Sequence, residues 1–273
     1  MWQYGTGDQL LVLVHGFRGD HHGLEGIARE LSEAAPELRI LVPDLPGFGQ
    51  SPSVPGRVHD LQLYGEWLRE FVGALGAEGH GYAILGHSFG SLVVSSAIAQ
   101  GLSPAQLVLI NPISAPALEG SRAIMTQLAI CYYKLAALLP ERPARRLLGN
   151  RFIVRMMSEV MAKTRDRRLR RWIHDQHQAY FSQFADSETL LQAFRASVSH
   201  TVPEYICGLS TPTLLVAGEK DDLTPLSAQL ALARGLPRST LRIMPGVGHL
   251  VHYESVQAAA TEVLGFLRAG VSA

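Results

Sequence analysis

The chain has 273 residues, 47% of them hydrophobic, and 24 Lys and Arg balance 24 Asp and Glu. That length suits one large α/β domain or a domain with an insertion. The apolar content excludes a disordered chain, and a net charge of zero excludes a global attraction to nucleic acid or to acidic substrates.

Two cysteines, Cys131 and Cys207, are too few for a disulfide scaffold, so free thiols in a reducing, cytoplasmic setting are expected. The opening residues lack the basic-then-apolar pattern of a signal peptide. The longest apolar-leaning stretch, 124–139, contains Gln127 and Lys134 and is too short and polar to span a bilayer.

The first strand-like run is LLVLVHG (10–16), nearly continuous in apolar residues, as in strands buried on both faces of a parallel sheet. His15-Gly16-Phe17 follows, and a loop there offers the Phe17 amide to a developing oxyanion. His15 is expected to shape that loop by local hydrogen bonds; Arg18 either holds an anionic substrate carboxylate or is simply exposed. Asp20-His21-His22 resembles a metal motif, but adjacent histidines more often line a solvated loop and no further ligand is evident, so no metal is expected. Leu24, Ile27, Ala28, Leu31 and Ala35 keep helical spacing. LRILVPD (38–44) is the next strand, and Leu61, Trp67, Leu68, Phe71, Val72 and Leu75 mark the next helix.

YAILGHS (82–88) ends on a serine between Gly86 and Gly90, where an apolar-periodic segment (89–100) begins. A serine on a sharp strand-to-helix turn projects its hydroxyl above the sheet, and side chains at the flanking positions would collide. The amides at the start of that helix, Phe89 first, suit an oxyanion. A capping serine in a glycine-rich loop is the plainer reading of the motif alone.

After QLVLINP (106–112), helix-like segments and no strand run to about residue 211. A hundred residues is too long for a crossover, so 114–210 is expected to be an inserted helical lid, leaving 1–113 and 211–273 as the core. Met125, Tyr132, Tyr133, Phe152, Met156 and Met157 are candidates to line an apolar pocket under it, or plain packing residues. Cys131 reads as core, and His174 and His177 as a structural pair. Between 121 and 171 there are 13 Lys or Arg against three Asp or Glu. A solvated face or pairing with the acidic body is favoured for that charge over attraction to an anionic substrate, a carrier-bound acyl group or a membrane surface.

PTLLVAG (212–218) is followed by GEKDDLTP, which puts Asp221 in a turn at a strand's C-terminal end, where open α/β sheets hold ligands. Thr224 and Pro225 are expected to cap and open a helix through Ala233. TLRIMPG (240–246) is the last strand. GVGHLVHYE puts His249 on a glycine-rich loop, and Val256, Ala260, Val263, Leu264 and Leu267 mark the final helix. Strands alternating with helices predict a doubly wound parallel sheet.

LVLVHGF, VPDLPGFGQS, GHSFG, AGEKDDLTP and GVGHLVHYE together make the chain resemble the α/β-hydrolase family over residues 10–269, the lid apart. The resemblance implies a mostly parallel sheet of about six strands with helices on both faces. Only nine residues precede Leu10, so the family's N-terminal hairpin is expected to be reduced or absent. It implies Ser88 as nucleophile, Asp221 rather than Asp222 as acid, His249 rather than His252 as base, and the Phe17 and Phe89 amides as oxyanion hole. Asp222 is then solvated or capping, His252 packs or caps the last helix, and His87 points away from substrate. In some members the acid follows the strand that ends here in Asn111, which cannot supply a charge. The expected function is cofactor-free cleavage of a small ester or thioester with an apolar acyl part, with Arg18, Tyr132, Tyr133, Met156 and Met157 as substrate contacts. The alternatives are acyl transfer, C–C bond hydrolysis of vinylogous diketo acids, and a non-catalytic ligand-binding role.

Overall fold

Runs of Leu, Val and Ile without a polar face are satisfied only between two helical layers, and that is where they lie. A computed structural model describes residues 1–77, 79, 81–116 and 123–271. Its strands are β1 (Trp2–Tyr4), β2 (Gln9–Val14), β3 (Leu38–Val42), β4 (Ala83–His87), β5 (Gln106–Ile110), β6 (Thr213–Gly218) and β7 (Ser239–Met244). They form one sheet in the order β1-β3-β2-β4-β5-β6-β7. The six from β3 to β7 pair in parallel, as expected. The seventh, β1, is a three-residue strand that pairs antiparallel to β3.

Side chains alternate between two cores, as a two-residue period requires. Leu11 and Leu13 join Leu24, Ile27 and Val263 under α1 (His21–Ala34) and α12 (Val256–Val271). Val12 and Val14 join Tyr64, Leu68, Phe89 and Leu92 under α2 (Leu61–Ala74) and α3 (Phe89–Ala99), with α10 (Leu226–Gly235) on the same face. Asp20 and Asp60 cap α1 and α2 by accepting from the His22 and Leu63 amides. The two-sided burial expected of every strand fails for β7. It is the sheet edge, and Arg242 and Ile243 are exposed.

Between β5 and β6 the described residues are helical: α4 (Ala123–Leu138), α5 (Glu141–Leu148), α6 (Arg151–Met161), α7 (Arg167–Tyr180), α8 (Ser187–Ser199) and α9 (Pro203–Ile206). This insertion is fastened to the core by backbone hydrogen bonds, Gly49 N–H to Gln183 O, Ala185 N–H to Gly47 O and Val202 N–H to Ile113 O. Cys131 is exposed, against the core reading. On α6 the buried residues are Val154 and Ser158; Phe152 and Met156, two positions away around the helix, face outward. They do not line a closed interior. The Met125 side chain lies outside the described residues.

Candidate active site

The C-terminal ends of β4, β6 and β7 converge, and each carries one polar side chain of interest. Ser88 follows β4 with φ 52° and ψ −118°, a left-handed geometry that costs a non-glycine residue of order 1–3 kcal/mol. Its amide donates to Ile110 O at 3.0 Å, which holds the strain in place. The glycines on either side are small for a steric reason. A Cβ on Gly90 would overlap the Val14 carbonyl oxygen, and one on Gly86 would sit 2.6 Å from Gly90 O.

A short four-residue helix, α11 (Val251–Glu254), begins just after His249. His249 Nε2 lies 2.8 Å from Ser88 Oγ, and Nδ1 lies 2.8 Å from Asp221 Oδ2. Both His249 and Asp221 are buried. With Nδ1–H donating to the carboxylate, Nε2 is left as the acceptor for the serine hydroxyl.

Asp221 is held by more than His249. Its Oδ1 accepts from the Leu223 and Thr224 amides at 2.8 and 3.1 Å. Its Oδ2 also accepts from Thr224 Oγ1 and Asn111 Nδ2, each at 2.5 Å. Burial pushes the carboxyl up, but the adjacent His249 and the Thr224 and Asn111 donors outweigh it and hold the group well below the usual carboxylate range. Thr224 therefore does not cap the following helix as expected; Pro225 takes the cap position. Asn111 sits in the left-handed region with φ 45° and also donates to Gly248 O at 3.2 Å. Sequence reasoning discarded Asn111 for lacking charge, yet it joins Asp221 to the loop that carries His249. The signal was present, since an asparagine ending a central strand is suited to a positive φ.

Two buried imidazoles lie behind His249. The His87 ring is 5.5 Å from His249 and 4.0 Å from His252, centroid to centroid. Burial, helped by His249, lowers His87 to about 3 and puts His252 well below its ordinary value, so both are neutral near pH 7. His252 packs rather than caps. His15 shapes its loop as expected, with Nδ1 against Gly16 O and Nε2 accepting from the Leu45 amide.

The Phe17 and Phe89 amides have no acceptor among the described residues. The Phe17 ring meets Phe89, Tyr133 and Phe194 at centroid distances of 5.6–6.3 Å, an apolar wall beside Ser88. Tyr133 is buried in it; Tyr132 turns away to donate to Leu147 O, and Met157 is half-buried on α6. Arg18 is neither exposed nor idle. It is buried, with φ 60°, and donates to Phe181 O, Leu148 O and Tyr133 Oη. All three acceptors belong to the insertion.

On the other flank, Lys163 Nζ pairs with Asp222 Oδ2 at 2.5 Å, so Asp222 is an ion-pair partner of the insertion. Glu254 accepts from the Lys163 and Thr164 amides at 2.6 and 2.7 Å through Oε1, and from the Gly248 amide at 3.1 Å through Oε2.

Donor atoms of Asp20, His21 and His22 lie within 4.8 Å of one another. His21 Nδ1 donates outside the trio, to Asp44, and His22 Nδ1 donates within it, to Asp20. The rings stack in a row from Trp2 through His21 and His22 to Tyr180, joining β1, α1 and α7. His174 and His177 both meet the buried Ser158 hydroxyl at 2.6 Å, a structural role as expected.

An open, doubly wound sheet with a serine on a strained strand-to-helix turn and an acid and a histidine on later loops defines the α/β-hydrolase class. Residues 11–262 match the alpha/beta hydrolase family, and the chain belongs to it. It is 28% identical over 266 residues to the dihydrolipoyllysine-residue acetyltransferase component of the acetoin cleaving system of Pseudomonas putida, covering 97% of this chain and only 65% of that protein. It is 26% identical over 275 residues to a 2-hydroxy-6-oxononadienedioate/2-hydroxy-6-oxononatrienedioate hydrolase of the same organism, covering 97% of this chain and 89% of the relative. A thermophilic esterase from Thermogutta terrifontis superposes with a TM-score of 0.77 at 24% identity, over 98% of this chain and 92% of that one.

Proposed function

We propose that the chain is a serine hydrolase that cleaves a carboxylic ester or thioester with an apolar acyl part through an acyl-enzyme on Ser88. The observation that carries the reading is the unbroken pair of 2.8 Å contacts from Asp221 through His249 to Ser88. Ser88 Oγ attacks the carbonyl carbon as its proton passes to His249 Nε2, and Asp221 keeps the imidazole oriented and stabilises its charged form. The oxyanion is received by the Phe17 and Phe89 amides; removing one such donor costs about 10²–10³ in turnover. His249 then protonates the leaving alcohol or thiol. Water, deprotonated by His249, attacks the acyl-serine and releases the acid and the free hydroxyl. The aromatic wall of Phe17, Phe89, Tyr133 and Phe194 supports an apolar acyl group, and the insertion serves as the lid above it.

Ser88→Ala is expected to abolish hydrolysis of activated esters and labelling by a fluorophosphonate. Labelling that persists in that variant removes Ser88 from the chemistry.

Arg18 favours a second reading. A buried guanidinium normally has a carboxylate partner, and Arg18 has none among the described residues. It donates to the insertion through Nε, Nη1 and Nη2, and a positive charge held there would attract an anionic substrate group. That suits C–C cleavage of an anionic vinylogous diketo acid; one relative is named as a hydrolase of a 2-hydroxy-6-oxo dicarboxylate. Comparing a simple aryl ester with a vinylogous diketo acid separates the two readings. Product partition with added alcohols detects acyl transfer.

A further inference from the structure

The outer faces of the insertion are apolar where solvent-facing helices are normally polar. On α6, Phe152, Met156 and Val160 are 77%, 52% and 48% exposed. Their spacing of four places them in one stripe along the helix. On α4, Leu128, Cys131, Leu135 and Leu138 repeat the pattern at spacings of three and four, and all are exposed. Trp172 stands out from α7. Isolated exposed apolar residues are ordinary; stripes on two helices of one insertion are what an interaction surface presents.

The charge around these stripes is predominantly positive, 13 Lys or Arg against three Asp or Glu between 121 and 171. Arg145, Arg155, Lys163 and Arg170 are paired with carboxylates. Arg142, Arg146, Arg151, Arg167, Arg168 and Arg171 are exposed and have no carboxylate within ion-pairing distance among the described residues. Arg151 is the first residue of α6 and Arg168 the second of α7, and Arg151 and Arg155 are the sequence neighbours of Phe152 and Met156.

The geometry points to an anionic lipid bilayer as the partner of this face. α6 would lie in the plane of the interface, with Phe152, Met156 and Val160 among the acyl chains and the arginines at the level of the lipid phosphates. Two features select a lipid surface over an acidic protein. The apolar side chains form ridges on helix backs, which a fluid surface accommodates without a matching groove. The arginines have long aliphatic stems that lie along an apolar boundary while their charges reach phosphate. Docking rests on the surface alone and stands or falls independently of the triad chemistry.

The test is co-sedimentation of the full chain with vesicles of phosphatidylcholine alone and of phosphatidylcholine with phosphatidylglycerol, in low and high salt, alongside Trp fluorescence. Binding is expected to the anionic vesicles, to weaken as salt rises, and to shift Trp emission to the blue. Phe152→Ser with Met156→Ser should weaken it roughly a hundredfold, because each large apolar side chain withdrawn from lipid is worth about a factor of ten. Both positions are exposed, and an unchanged thermal melt checks the fold. No binding to anionic vesicles overturns the proposal. So does binding that the double variant leaves intact and that soluble polyanion abolishes, which would assign the face to an acidic macromolecule. A dimer that the same substitutions dissociate, with no lipid binding, would assign it to a second copy of the chain.

Discussion

Lowering the pH from 7 to 5 should destabilise the fold through buried imidazoles. His87 and His177 are each held at about 3, by burial first and then by neighbouring imidazoles, whereas an unfolded histidine titrates near 6.5. Between those values the unfolded chain carries one more proton at each position, so stability is full above pH 6.5 and falls as pH drops toward 3. At about 1.36 kcal/mol per unit and group, each should cost about 2 kcal/mol by pH 5, or about 4 kcal/mol for the pair. That is a large share of a typical stability of about 5–15 kcal/mol. His252, depressed in the same direction, adds to the loss. Asp221 has the same sign but a different window: its stabilisation is present above the ordinary carboxylate value and is lost only at lower pH. Urea unfolding at pH 7, 6 and 5 measures the slope. His177→Leu should lower stability at pH 7 by removing the Ser158 contact, yet reduce the loss between pH 7 and 5 by about 2 kcal/mol. Parallel pH curves for the two proteins, or an NMR titration of folded His177 near 6.5, would refute the reasoning.

Asn111→Gly keeps the left-handed backbone but removes the donor to Asp221. A hydrogen bond to a charged group is worth about 1.5–3 kcal/mol, so kcat on an activated ester should fall roughly ten- to hundredfold, with KM little changed. Gly90→Ala forces a methyl group into the Val14 and His15 carbonyls and should cost about 3 kcal/mol or prevent folding, read by thermal melting and soluble yield. Gly265→Ala, exposed in α12 with open space around it, should instead stabilise by about 0.5–1 kcal/mol.

What the sequence disclosed was local. The strand 83–87, the serine turn and its two glycines, and the order serine, acid, histidine can each be read from a few neighbouring residues. Contacts made across the sheet could not be read in that way. Asn111 reaches Asp221 from the end of a different strand, 110 residues away, and no spacing rule announces it. Trp2–Tyr4 is too short to show a period, and its place beside β3 depends on a partner nearly forty residues away. Helical periodicity identified α4 and α6 as helices but not which side faces out, because apolar residues occupy both sides. Cys131, Phe152 and Met156 were misassigned for that reason, and the ambiguity is itself the trace of the apolar outer surface.

Glu254 joins two parts that a swinging lid would need to keep separate. One of its oxygens grips the backbone at residues 163–164 of the insertion, and the other grips the glycine just before His249. Any displacement of that corner must either break two short contacts or drag the imidazole with it. Displacing that corner and shifting the His249 loop would then be one motion rather than two.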